Sequence, residues 1–171
     1  MTSAEFILGI VTLQRAGELV VSSYNTSRLV ARGAVEVAPR HYKLIVAVHA
    51  AWLISVWVFG RDQLVNIPAL LAYLVLQGLR FWVMWTLGSR WTTRILVLPE
   101  HPLVSAGPYR YLSHPNYVVV AAEIATLPLM LDLPLLAAIF TIVNAAVLAI
   151  RIRAENRALA ASRKTIARRI R

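Results

Sequence analysis

The stretch PNYVVVAAEIATLPLMLDLPLLAAIFTIVNAAVLAI, Pro115 to Ile150, decides the fold. It holds two apolar runs with Asp132-Leu133-Pro134 between them. A connection that short forces the flanking helices antiparallel. A span from Pro115 to about Leu131 and another ending near Ile150 therefore form a hairpin. Its closure sets His114, at the start of one helix, near Arg151 and Glu155, at the end of the other.

The rest of the chain has the same character. Of its 171 residues, 58% are hydrophobic and 15% charged, against about 45–50% apolar in soluble domains. Further spans are expected at Ala4–Tyr24, Lys43–Gly60 and Leu64–Gly88, with a polar loop at Ser89–His114. About five spans of ~20 residues leave no length for a separate soluble domain. The fold class is thus an all-α integral membrane protein, residues 1–171 forming a single transmembrane domain. A basic, partly amphipathic cytosolic helix ends it.

The formal charge of +10 raises the question of nucleic acid, but its distribution answers otherwise. Eight of the 18 Lys and Arg residues follow Ile150: Arg151, Arg153, Arg157, Arg163, Lys164, Arg168, Arg169 and Arg171. A basic end after a hydrophobic hairpin fits retention at a cytoplasmic face and attraction to anionic lipid. No aromatic side chains interleave it to stack bases, so no nucleic-acid partner is expected. With five spans and a cytoplasmic C-terminus, the inside segments also hold Arg28, Arg32, Arg40, Lys43, Arg90, Arg94 and Arg110. Only Arg61 lies outside. A bacterial inner membrane is the expected location. The absence of cysteine excludes disulfides and thiolate metal sites, and no metal is expected. The first fourteen residues carry no Lys or Arg, which disfavours a cleaved signal peptide.

Charges inside the spans point to a polar pocket. Each costs ~2.5–3.5 kcal/mol at a helix centre on insertion scales, so it faces protein or a wet cavity. Arg15, Glu18, Ser22 and Asn25 fall on one stripe about 80° wide at 100° per residue. Arg15 and Glu18 are candidates for the substrate side, or an ion pair that lets a polar helix insert. Arg80 is a third such candidate, although only eight residues separate it from Gly88 and snorkelling to the cytosolic interface explains it as well. Glu123 sits ~13 Å deeper than His114. An unpartnered carboxylate in hydrocarbon holds on to a proton, as a general base near neutral pH must. Glu123 is therefore a candidate catalytic base, with pairing to Arg15, Arg80 or His49 as the structural alternative. The five tryptophans fit interface belts or packing.

A second polar set lies at the cytosolic end of the hairpin. Pro115 suits the first turn of a helix, which puts His114 beside free N–H groups that favour a carboxylate. Asn144, Arg151 and Glu155 share one face within about 40°, with Arg153 nearly opposite. An arginine, a glutamate and a helix start facing one another grip a zwitterion. The methionine part of S-adenosylmethionine is one. Taken singly, Arg151 and Glu155 are an i,i+4 surface pair worth ~0.3–0.5 kcal/mol.

GPYRYLSHPNY (Gly107–Tyr117), the hydrophobic hairpin and RIRAENRAL (Arg151–Leu159) together resemble the isoprenylcysteine carboxyl methyltransferase family. LRFWVMWTLGSRWTTRILVL (Leu79–Leu98) and RAGELVVSSYN (Arg15–Asn25) are similar to its bacterial branch. The resemblance implies an integral-membrane enzyme using S-adenosylmethionine, with the cofactor part at roughly residues 89–160. His114, Pro115 and Tyr117 match the family's His-Pro-x-Tyr motif, which helps enclose the cofactor, and Tyr109 belongs to the same block. Glu155 matches the first residue of the paired-glutamate motif. Arg151 matches an arginine implicated in placing cofactor or substrate, and so is a catalytic candidate too. The sequence departs in three places. Asn156 replaces the second glutamate, Ser113 the usual arginine, and no glycine follows Tyr117.

The last two departures weigh against a prenylated cysteine as acceptor. Bacterial relatives include O-methyltransferases of long-chain alkylresorcinols and alkylpyrones. The expected reaction is therefore methyl transfer from S-adenosylmethionine to an oxygen of a lipophilic acceptor, a long-chain phenol or pyrone. Carboxyl methylation of a lipid-anchored, prenylated cysteine is the alternative within the family. Sterol reductases, which use a nicotinamide cofactor, carry a comparable C-terminal motif, and a non-enzymatic membrane component is a third reading.

Overall fold

The computed structural model describes residues 2–98 and 104–169, without the side chains at positions 40, 41 and 161–169. Five helices follow one another: α1 Ser3–Ala31, α2 Pro39–Gly60, α3 Ile67–Leu87, α4 Pro115–Met130 and α5 Pro134–Arg169. Four of them are long and apolar enough to cross a membrane. The exception is α4, whose 16 residues extend ~24 Å against a hydrocarbon core of ~30 Å. Large apolar side chains such as Leu13, Val20, Trp85, Leu135 and Ile142 point outward and exposed. On a membrane protein that surface faces lipid, where helices alone satisfy the backbone. The chain is an all-α integral membrane protein.

Helix ends follow local chemistry. Thr2 and Glu5 form a reciprocal capping box that starts α1. Asn66 accepts from the Ala69 amide at 3.0 Å to start α3, while its own N–H donates to the Met130 carbonyl at 2.8 Å. The hairpin turn takes Asp132 into the left-handed region, φ 53°. Within α4, Pro128 has no N–H for the Ile124 carbonyl. The indole of Trp52 donates to that carbonyl instead, at 3.2 Å. This contact joins α2 to α4 in the core, where Leu8, Val56, Leu127 and Met130 pack. A Cβ on Gly60 would lie 2.8 Å from Leu131, so α2 meets the hairpin turn closely there.

Three features differ from expectation. α1 continues to Ala31 rather than ending near Tyr24, because its last turns bury Asn25 and Leu29. α5 does not stop near Ile150, since RIRAENRALA contains no glycine or proline to break it. The expected cytosolic helix is its continuation. The loop before α4 includes a two-residue strand, β2 Leu96–Val97, antiparallel to β1 Val35–Glu36. Arg40 and Arg163, Lys164, Arg168, Arg169 and Arg171 of the tail have side chains outside the described residues.

Candidate active site

The hairpin brings the start of α4 and the C-terminal part of α5 together. Tyr117 lies in the first turn of α4, and its hydroxyl donates to Oε2 of Glu155 at 2.5 Å. The Tyr117 hydroxyl oxygen also accepts from Nε of Arg151 at 2.9 Å. His114 stacks on the Tyr117 ring, centroids 5.4 Å apart, with Nδ1 3.7 Å from Glu155. Arg151 is buried and also donates through Nη2 to the Thr93 carbonyl. Tyr109 stands nearby on a turn of 3-10 helix, Gly107–Arg110. Burial and the neighbouring Glu155 carboxylate push its hydroxyl up to about 12.

Residues 91–98 close over this group, and α1 holds them. Ser22 accepts from the Thr93 amide at 2.8 Å, and Asn25 donates to the Trp91 carbonyl at 2.8 Å. Arg94 pairs with Glu36 at 2.8 Å and covers the Tyr42 ring. The C-terminal half of the α1 polar stripe therefore fixes the roof of the site.

The N-terminal half of that stripe enters an ion cluster. Arg80 is 5% exposed. It grips Glu18 through Nε and Nη2, both at 2.5 Å, and reaches Glu123 through Nη1 at 2.7 Å. Arg15 bridges the same two carboxylates at 3.1 and 2.9 Å. Gln14 donates to Glu18 and Gln77 to Glu123. Two guanidiniums thus meet two carboxylates, the pairing a buried charge requires. The snorkelling expected of Arg80 does not occur: two carboxylates inside the protein hold its planar fork bidentately. Nor is Glu123 the unpartnered carboxylate that its reading as a base supposed. It is 1% exposed and carries both arginines.

A cavity of about 800 Å³ runs from Tyr109, His114, Tyr117, Arg151 and Glu155 to Arg15, Glu18 and Arg80. Glu123 is not among its lining residues. The size falls within the ~300–1,000 Å³ of small-molecule sites. S-adenosylmethionine fits the groups present. Glu155 offers a carboxylate to an ammonium, and Arg151 keeps Nη1 for a carboxylate. The N-cap His114 leaves the start of α4 without a side-chain cap. Asn116 lines the cavity, and its Oδ1 is buried without a hydrogen-bond partner. Among the described residues no cluster of three metal-ligating side chains occurs.

The sequence pattern did not reveal several contributors. Asn156, read as a departure, places Oδ1 3.1 Å from Nε2 of His114. Thr93 gave no signal at all. Gln77 had a faint one, three residues before Arg80 on the same helix face.

Residues 69–161, more than half of the chain, match the Isoprenylcysteine carboxyl methyltransferase (ICMT) family. The chain belongs to that family. It is thereby an integral-membrane protein of a methyltransferase family that uses S-adenosylmethionine. It is 35% identical over 160 residues to the uncharacterized protein YpbQ of Bacillus subtilis, covering 90% of this chain and 94% of that one. An uncharacterized protein of Haemophilus influenzae is 26% identical over 147 residues, covering 82% and 86%. No solved structure matches significantly.

Proposed function

We propose that this ICMT-family chain is an S-adenosylmethionine-dependent O-methyltransferase acting on a lipophilic acceptor, a long-chain phenol or pyrone. One observation carries the reading: a single cavity joins the His114–Tyr117–Arg151–Glu155 group to the buried Arg15–Glu18–Arg80 cluster. The first is suited to a zwitterion at the cytosolic face. The second provides charged groups beside apolar walls such as Leu19, Val46 and Leu53, the mixture an amphiphile needs.

In this reading Glu155 holds the donor's ammonium and Arg151 its carboxylate. Tyr117, by donating to one and accepting from the other, keeps both in register. Pro115 sets the start of α4, and Tyr109 and His114 enclose the ligand. When bound, S-adenosylmethionine supplies a methyl group made electrophilic by its sulfonium. The protein contributes alignment of the acceptor oxygen and exclusion of water. Arg15, Glu18 and Arg80 line the acceptor side, and Glu123 positions the two arginines from behind. Ser113 and the missing glycine after Tyr117 weigh against a prenylated cysteine. The distribution of Arg28, Arg32, Lys43 and the basic tail supports a cytosolic C-terminus in a bacterial inner membrane. The cofactor then enters from the cytosol and the acceptor from the bilayer.

Mass spectrometry of lipids from cells with and without the protein tests this. Phenolic or pyrone lipids heavier by one methyl group are expected only with the intact protein, and not with Glu155→Ala. Identical lipid profiles would reject the reading.

A further inference from the structure

His49 lies on α2 and lines the cavity. Its Nδ1 is 2.8 Å from the Ile45 carbonyl oxygen, one turn earlier. A carbonyl only accepts, so Nδ1 carries the hydrogen, and a neutral ring then keeps its lone pair on Nε2. That nitrogen makes no hydrogen bond among the described residues. The carboxylates bordering the cavity are already engaged. Glu18 holds Arg80 and Arg15, and Glu155 holds the Tyr117 hydroxyl. On the α2 side of the cavity, His49 presents an open lone pair on Nε2.

We propose that Nε2 of His49 accepts the proton of the acceptor's hydroxyl during methyl transfer. This rests on the reading above of a phenol or enol acceptor, because a carboxylate arrives with no proton to remove. The hydroxyl oxygen forms a bond to the methyl carbon, and the methyl–sulfonium bond breaks with its electron pair left on sulfur. The released proton goes to Nε2 and then to water after product leaves. Charge balances across the step: one positive charge disappears from sulfur as one forms on imidazole. The surrounding charges come from every wall. Arg15 and Glu18 face it from α1, Arg80 from α3 with Glu123 of α4 behind, and Arg151 from α5.

The test uses the full chain in lipid nanodiscs, as wild type, His49→Ala and His49→Gln. Each receives S-adenosylmethionine with either a long-chain resorcinol or a prenylated cysteine. General-base catalysis is worth at least ~100-fold, so both variants should turn over the phenol about 100-fold more slowly. KM for the phenol and S-adenosylhomocysteine affinity should not change. The deficit should narrow toward pH ~10, where a phenol ionises unaided, and any transfer to the carboxylate should be spared. Undiminished phenol turnover, equal loss on both acceptors or lost S-adenosylhomocysteine binding would each overturn the role of His49 while leaving the acceptor class standing. A wild type that methylates only the carboxylate overturns the acceptor class, and this proposal with it.

Discussion

The phenolic oxygen of Tyr117 lies 2.5 Å from Oε2 of Glu155, which fastens the start of α4 to the C-terminal part of α5. Because Arg151 donates to the same oxygen at 2.9 Å, one hydroxyl sets the spacing of a carboxylate and a guanidinium. Hydrogen bonds to charged groups are worth ~1.5–3 kcal/mol. Tyr117→Phe should therefore weaken S-adenosylhomocysteine binding by roughly 10–100-fold while insertion is unchanged, as calorimetry on purified protein can check.

Glu123 should behave as a positioning residue of the ion cluster. Removing one partner of a buried pair costs ~3–5 kcal/mol, because a charge is left uncompensated. Glu123→Gln leaves Arg15 and Arg80 facing Glu18 alone. It should lower the unfolding midpoint clearly and reduce transfer to phenolic and carboxylate acceptors by the same factor. A selective loss on the phenol, with stability intact, would return Glu123 to the role of base.

Gly107 adopts φ +55°, and a Cβ there would lie 2.5 Å from Oγ1 of Thr86. Gly107→Ala thus combines left-handed strain of about 1 kcal/mol or more with a clash against α3. It should displace the turn that carries Tyr109 and weaken S-adenosylhomocysteine binding. Adding Thr86→Ala should restore part of the loss, because the clash goes while the strain stays. A double-mutant cycle of binding constants measures the coupling.

Tyr109 gives a pH dependence whose sign is fixed. Its folded-state value of about 12 lies above the ~10 of a free tyrosine. The unfolded chain therefore loses this proton first as pH rises. The stability linked to Tyr109 is complete below about pH 10 and is lost as pH climbs through about 12. Tyr109→Phe should flatten the fall in unfolding midpoint over that window. Ultraviolet titration of the difference between the two proteins should show one phenol ionising late.

Much of the site was legible because short-range rules set it. A three-residue turn fixed the hairpin, and helical periodicity put Arg151 and Glu155 on one face. Those two facts alone bring position 114 to position 155. The polar stripe on α1 was visible for the same reason. Its partners were not, because Arg80 and Glu123 belong to other helices and their meeting depends on tertiary packing. Arg80 looked close enough to an interface to snorkel, and only the two carboxylates across the bundle explain why it turns inward. Thr93 acts through its backbone carbonyl, which no side-chain pattern reveals. The open nitrogen of His49 likewise depends on the orientation of a ring within its helix.

Calorimetric titration of S-adenosylhomocysteine into the nanodisc-embedded protein, its Glu155→Ala variant and its His114→Ala variant tests the site most directly. Saturable binding by the wild type, weakened at least about tenfold in both variants with insertion and unfolding midpoint retained, is the predicted result. No binding by the wild type, or equal affinity in all three proteins, would contradict a donor site built from the start of α4 and the C-terminal part of α5.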